Sequence, residues 1–229
     1  MVQDPSASPH PIALSWSGGK DSALALAALK ADPFWRVETL ITTVTQDYDR
    51  VSMHGVRRTL LEAQAEALEL PLMINTLPAG ADNATYETAM GKTFAACRAR
   101  GIHTVAFGDL FLGDIRAYRD RLAAAHGISP LYPIWRRDTD KVMAEFLAAG
   151  FKAITVCIDP AKLDPCFAGR LMDGSFVEDL PPEVDPCGEN GEFHSFVFDG
   201  PLFTRPVGFT LGELVYRDGF WFRDLTPLV

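Results

Sequence analysis

The chain has 229 residues, 48% of them hydrophobic, which is enough to bury the core of one large domain or two small ones and excludes disorder as the default state. A formal net charge of -9 argues against a protein that grips nucleic acid by broad electrostatics, because phosphate neutralisation needs clustered Lys and Arg. Four cysteines, Cys97, Cys157, Cys166 and Cys187, form no CxxC pair and no zinc-type spacing, so they read as reduced structural thiols.

Residues 1–11 are polar and proline-rich, without the basic start and apolar run of a secretory signal, which places the protein in the cytoplasm. No stretch approaches the roughly 20 apolar residues that span a bilayer, and no fixed-period repeat is present. Residues 11–16 are a short apolar run, read as a strand, that meets Ser17-Gly18-Gly19. Residues 22–29 then read as an alanine- and leucine-rich helix. A β-branched strand over 37–45 precedes a helix over 56–69, whose Leu60, Leu61, Ala65 and Leu68 recur at helical spacing. A third strand follows at 72–77, a helix over 86–100 ending at Gly101, and a fourth strand at 103–107 that stops at Gly108-Asp109. A helix over 115–126, the segment 130–135, a helix over 139–149 and a strand over 153–158 continue the alternation.

Such alternation implies parallel strands joined by right-handed crossovers: an α/β fold with an open, parallel, Rossmann-like sheet and ligands at the carboxyl ends of its strands. From residue 160 onward Pro, Gly, Asp and Cys are more frequent, apolar runs shorten, and Arg217-Asp218-Gly219 reads as a turn between two strands. The expected division is a nucleotide-binding domain over 1–122 and a smaller, mixed α/β C-terminal lobe over 123–229 that binds substrate.

Ser17-Gly18-Gly19-Lys20-Asp21-Ser22, at a strand-to-helix junction, is the motif that carries chemistry. Unpaired N–H groups at a helix start favour an anion, and Gly18 and Gly19 let the backbone approach phosphate oxygens. Ser17 and Ser22 add hydroxyls, and Lys20 a mobile charge. Asp21 beside a phosphate is repulsive, which points to Mg2+ between them or to an internal hydrogen bond. Walker A spacing fails, because Asp21 separates Lys20 from Ser22 and the upstream Gly is missing. The dinucleotide fingerprint fails as well, for lack of a second Gly at the required offset.

The motif resembles the signature of PP-loop ATP pyrophosphatases, which split ATP into AMP and pyrophosphate while activating a carboxylate, amide or related oxygen. Residues 187–203 (CGENGEFHSFVFDGPLF), the region from Gly108-Asp109 through Tyr118, residues 130–135 and Phe167-Ala168-Gly169-Arg170 resemble the diphthine-ammonia ligase family. The resemblance implies amidation of diphthine, a modified histidine of translation elongation factor 2, with ATP and ammonium as co-substrates. One departure stands out: the family motif Gly-Glu-Tyr/Phe-Glu-Thr reads Gly191-Glu192-Phe193-His194-Ser195, with an imidazole in place of a carboxylate.

On that resemblance, Ser17, Gly18, Gly19 and Ser22 hold the β- and γ-phosphates with Lys20 offsetting their charge, Asp21 serves Mg2+, and Thr42 and Thr43 end the second strand beside adenine. Asp109 is expected to position ligand or metal, or to cap a turn. Glu189 and Glu192 form a carboxylate pair that binds ammonium or Mg2+ or acts as a base, and His194 is expected to titrate near neutrality as an acid or base, or to serve structure. Arg116 and Arg119 are candidates for the α-phosphate or a substrate carboxylate, and Arg170 for contact with substrate or between lobes. Phe220, Trp221 and Phe222 read as core or as contacts of a homodimer. Two other readings remain: a sulfur-transfer or tRNA-modifying enzyme on the same scaffold, and a non-catalytic nucleotide-binding module.

Overall fold

A computed structural model describes residues 8–228. Strand β1 (His10–Ser15) is flanked by β2 (Trp35–Thr45) and β5 (Thr104–Ala106), both parallel to it, with Leu14 opposite Leu40 and Ala106. β4 (Leu72–Leu77) extends the sheet beyond β2, and β6 (Ser129–Leu131) beyond β5. A two-residue strand, β3 (Arg50–Val51), pairs antiparallel with the last residues of β2. Leaving β3 aside, the spatial order is β4-β2-β1-β5-β6. The chain therefore builds outward from β1 and then returns to its other side, which puts the topological switch point between β1 and β5.

Helices α1 (Lys20–Ala31), α2 (Arg58–Ala67), α3 (Asn83–Ala99) and α4 (Gly113–Ala125) make the crossovers. Side-chain caps set several helix starts: Asp82 accepts from Thr85 N ahead of α3, and Asp138 from Lys141 N ahead of α5 (Thr139–Ala148). Gly101, with φ 76°, lets the chain turn at the end of α3, as its position in the sequence leads one to expect. Among the described residues no helix is long and apolar enough to cross a membrane.

A second, antiparallel sheet has the order β8-β7-β10-β9, from β7 (Lys152–Ile158), β8 (Phe193–Asp199), β9 (Phe209–Arg217) and β10 (Phe220–Pro227). The β9–β10 turn is the expected Asp218-Gly219, at φ 52° and 89°, the left-handed pair that a tight hairpin requires. A short helix, α6 (Gly174–Asp179), precedes β8. Helix α1 contacts both β1 and β8, and Leu14, Leu26, Phe146, Phe196 and Val197 are fully buried in one shared core. A second core, with Met90, Phe94, Val105 and Phe107, covers the other face of the parallel sheet. α1 is thus buried on more than one side, which is why its sequence is apolar beyond a single stripe.

The structure differs from the sequence reading in two places. β3 is too short to have a periodic signal. The first sheet also takes in Ser129–Leu131, past the division expected at 122–123, because β6 pairs with β5; we propose the segment 132–137 as the junction between the two units.

Gln64, fully buried in α2, joins the two sheets. Its Nε2 donates to Gly18 O at 3.0 Å and to Val197 O at 2.5 Å, and its Oε1 accepts from Trp16 Nε1 at 2.9 Å. Gln64→Ala removes three buried hydrogen bonds and leaves Trp16 Nε1 without a partner, and the expected loss is about 3 kcal/mol of unfolding free energy, read as a lower urea midpoint at unchanged m-value.

Candidate active site

The phosphate loop follows from β1. Buried strand residues carry the chain to the carboxyl edge of the sheet, Trp16 anchors it at 2% exposure, and Gly18 reverses it at φ 81°. A Cβ on Gly18 would lie 2.7 Å from Gln64 Oε1, so neither the conformation nor the space admits another residue. Gly19 caps α1 without a side-chain hydrogen bond of its own, and the helix start packs against His54 and against Ser195 of β8. Ser17 Oγ accepts from Gly19 N at 3.3 Å and lies 3.4 Å from Ser22 Oγ, which in turn donates to Gly19 O at 2.8 Å. Both hydroxyls are thereby fixed on the cleft wall.

The cleft encloses about 1400 Å³ between this edge of the parallel sheet and the 187–195 segment of the second unit. Ser17, Asp21, Ser22, Thr42, Thr43, Asp109, Glu189 and His194 all line it. Thr42 is 2% exposed and its Oγ1 has no hydrogen-bond partner among the described residues, a polar group available to a ligand at the end of β2. Gly108 brings β5 close to the loop: a Cβ there would lie 2.9 Å from the Asp21 carbonyl atoms.

The remaining expected residues stand behind the wall. The amides of Gly18 and Gly19 belong to the loop backbone. Lys20 is 1% exposed, donates its backbone N–H to Ser195 Oγ at 3.1 Å and pairs its ammonium with Asp21. Burial opposes that charge, but Asp21 and Glu189 more than offset it, so the ammonium is held above its usual range. The expected Glu189–Glu192 pair is not formed. Glu192, 3% exposed, turns into its own loop and accepts from Asp185 N, Asn190 N and Asn190 Nδ2 at 3.1, 2.9 and 3.1 Å. Its carboxylate fixes the loop, while Glu189 faces the cleft.

Charge at the wall is tightly constrained. Burial, reinforced by Asp21, pushes the Glu189 carboxyl up to about 8. Burial likewise raises Asp109, against the pull of Arg119. Arg119 Nε lies 3.0 Å from Asp109 Oδ2, an ion pair by distance whose angle does not make a hydrogen bond, and both atoms are buried without a hydrogen-bond partner among the described residues. Arg116 instead stacks over Tyr132 and Trp135, and Arg170 pairs with Asp179.

His194 corrects the expectation of titration near neutrality. Burial, then the neighbouring His54 and Lys20, drive its pKa down to about 3, so the imidazole is neutral at physiological pH. The His54 ring lies 4.5 Å from it, and His54 Nδ1 is 3.2 Å from Ser195 O, the geometry of an Nδ1–H donor. His54 also lines the cleft and is a residue that local sequence pattern does not single out. Its only signal is its place between a strand and a helix, next to Gly55.

Comparison with known proteins agrees with this two-part architecture. The model of the diphthamide synthase N-terminal domain matches residues 10–130, and that of the diphthamide synthase C-terminal domain matches residues 138–224. The diphthine–ammonia ligase of Rattus norvegicus is 24% identical over 246 residues, covering 93% of this chain and 87% of that protein. The human diphthine–ammonia ligase is 27% identical over 106 residues, 44% of this chain and 40% of that protein. Among solved structures, a U34-tRNA thiolase from Methanococcus maripaludis overlays with a TM-score of 0.37 at 18% identity, covering 61% of this chain and 56% of that one. With both domain models matched in order along its length, the chain belongs to the diphthamide synthase family.

Proposed function

We propose that this chain is an ATP-dependent ligase that joins ammonia to an acceptor carboxylate and releases AMP and pyrophosphate. Relatives named diphthine–ammonia ligase support the ligase class, and the observation that carries the reading is that Ser17, Asp21 and Ser22 of the loop line one cleft with Glu189 and His194. In this reading the amides of Gly18 and Gly19, with the Ser17 and Ser22 hydroxyls, hold the β- and γ-phosphates, and Lys20 offsets their charge from beneath. The α-phosphorus then lies toward the 187–195 segment.

An acceptor carboxylate oxygen attacks the α-phosphorus, the bond to the β-bridging oxygen breaks, and pyrophosphate leaves. Ammonia next attacks the acyl carbon, AMP departs with the carboxyl oxygen it gained, and the surplus proton passes to a base on the wall. Glu189 is our candidate for that base. The protein's main contribution is placement and a preorganised set of donors. Thr42 Oγ1 is assigned to the nucleotide's adenosine end.

Mg2+ suits the residues present. No group of three or more His, Cys, Asp or Glu among the described residues is arranged as a metal cage, but Mg2+ commonly takes one or two carboxylates and completes its shell with phosphate oxygens and water. Asp21 and Asp109 would hold it, and it would neutralise phosphate charge. Sulfur transfer fits less well: Cys187 on the cleft wall donates its thiol to Thr139 O, and burial pushes it up to about 12, leaving little thiolate. We place the enzyme in the cytoplasm and take elongation factor 2 bearing diphthine as the first acceptor to try.

The test is incubation with ATP, Mg2+, ammonium and that acceptor, alongside a panel of simple carboxylic acids. AMP and pyrophosphate are expected in equal amounts with the amide; ADP and phosphate would sink the proposal. Lys20→Ala and Gly18→Ala should each weaken ATP binding at least about tenfold, read by calorimetry.

A pH prediction follows from Glu189. A carboxyl raised from 4.5 to about 8 binds its proton more tightly in the folded state, so its ionisation costs stability as pH rises across that window. Glu189→Gln should therefore gain thermal midpoint relative to the unsubstituted protein between about pH 5 and about pH 8, with the difference vanishing below about pH 4. A difference independent of pH would contradict the assignment.

A further inference from the structure

A smaller chamber of about 300 Å³ opens off the cleft and shares Thr45, Tyr48, Ser52, Met53 and Asp218 with it. Arg217, at the end of β9, dominates its chemistry. The guanidinium carbon sits 4.5 Å from the Tyr48 ring centroid and 4.9 Å from that of Phe222. Phe222 is fixed in turn by Gly55, where a Cβ would lie 2.5 Å from the ring. Aromatic rings beside a planar guanidinium hold its orientation and leave the in-plane N–H groups directed outward.

Those donors are open. Among the described residues the guanidinium makes no hydrogen bond, and its one ion pair, to the adjacent Asp218, spans 3.7 Å with a carboxylate that is 79% exposed. Such a pair contributes little and yields readily to a better-placed oxyanion. The second cation of the chamber, Arg50, is committed elsewhere: it donates to Gly55 O and Asp224 Oδ1, both at 2.8 Å, while Arg57 holds the same aspartate. Among the described residues Arg217 is therefore the uncommitted cation of the chamber, in a chain of net charge -9.

The neighbouring segment is built under strain. Asp49 and Met53 adopt φ 51° and 67° without being glycine, and Met53 is 64% exposed. A bulky side chain in that conformation persists only where surrounding contacts enforce it, and such outliers gather at ligand sites. The same turn is crossed by the Arg50 hydrogen bond to Gly55 O, which ties its two ends together.

We propose that Arg217, held between Tyr48 and Phe222, is a specificity-determining residue that binds a carboxylate of the acceptor, remote from the group that reacts in the main cleft. A carboxylate lying edge-on to the guanidinium gains two parallel charge-assisted hydrogen bonds. The identity of the ligand as the acceptor rests on the ligase reading; the carboxylate site itself does not.

Benzoate and its uncharged counterpart benzamide are suitable probes, followed by the arginine Nε–H NMR signals of the full chain. Benzoate should shift the Arg217 signal and benzamide should not. Arg217→Ala should abolish the benzoate response, and Arg217→Lys, which keeps the charge but not the fork, should weaken it at least about tenfold. ATP affinity should stay within about twofold in both variants. Equal binding of the two probes, undiminished benzoate binding by a folded Arg217→Ala, or a parallel loss of ATP affinity would each overturn the inference. Benzoate binding at Arg217 in a protein that never forms AMP would support the subsite and overturn the ligase proposal instead.

Discussion

Gly18 O accepts from Val197 N at 2.9 Å, and Lys20 N donates to Ser195 Oγ at 3.1 Å across 175 positions of sequence. These bonds, with Gln64 bridging the same two segments, make the phosphate loop and the first half of β8 one rigid object. A loop at a strand-to-helix junction usually belongs to a single crossover unit; here its backbone is hydrogen-bonded to a strand from the other sheet. Because His194 and Ser195 are neighbours on β8, any group bound at the loop is held in fixed register with the wall that would face the acceptor. Placement at that level does not require a moving lid.

The same stitch shapes the electrostatics. Bringing the 187–195 segment against the loop places Glu189 where Asp21 and Asp109 also act on it, and burial makes the Glu189 and Asp109 charges harder to sustain. Lys20 and Arg119 offset only part of this charge, and Lys20 is already paired. His54 and His194 add none, because burial keeps them neutral. A wall of this kind would repel an anionic ligand that arrives without a cation, which is the physical reason for proposing Mg2+ together with ATP.

Much of this was legible in the sequence where the determinants are local. Strand, Gly-Gly and helix start lie within one short stretch, and the parallel sheet followed from alternation alone. Asp218-Gly219 declared its hairpin because left-handed turn chemistry belongs to those two residues. What could not be read depends on partners far along the chain. Glu189 and Glu192 look equivalent at a three-residue spacing, and only the fold of the 185–192 loop decides that Glu192 spends its oxygens on Asp185 and Asn190. Arg217 likewise has no signal until Tyr48 and Phe222 meet beside it. His194 could not be read as neutral from sequence, since the cause is burial against a second imidazole.

A structure of the chain with Mg2+ and an ATP analogue whose α,β-bridge is methylene tests the central claim most directly. The account predicts the β- and γ-phosphates against the amides of Gly18 and Gly19, with the α-phosphate turned toward Glu189 and His194. A triphosphate lying the other way, its γ-phosphate toward Glu189 and its α-phosphate in the loop, would contradict it.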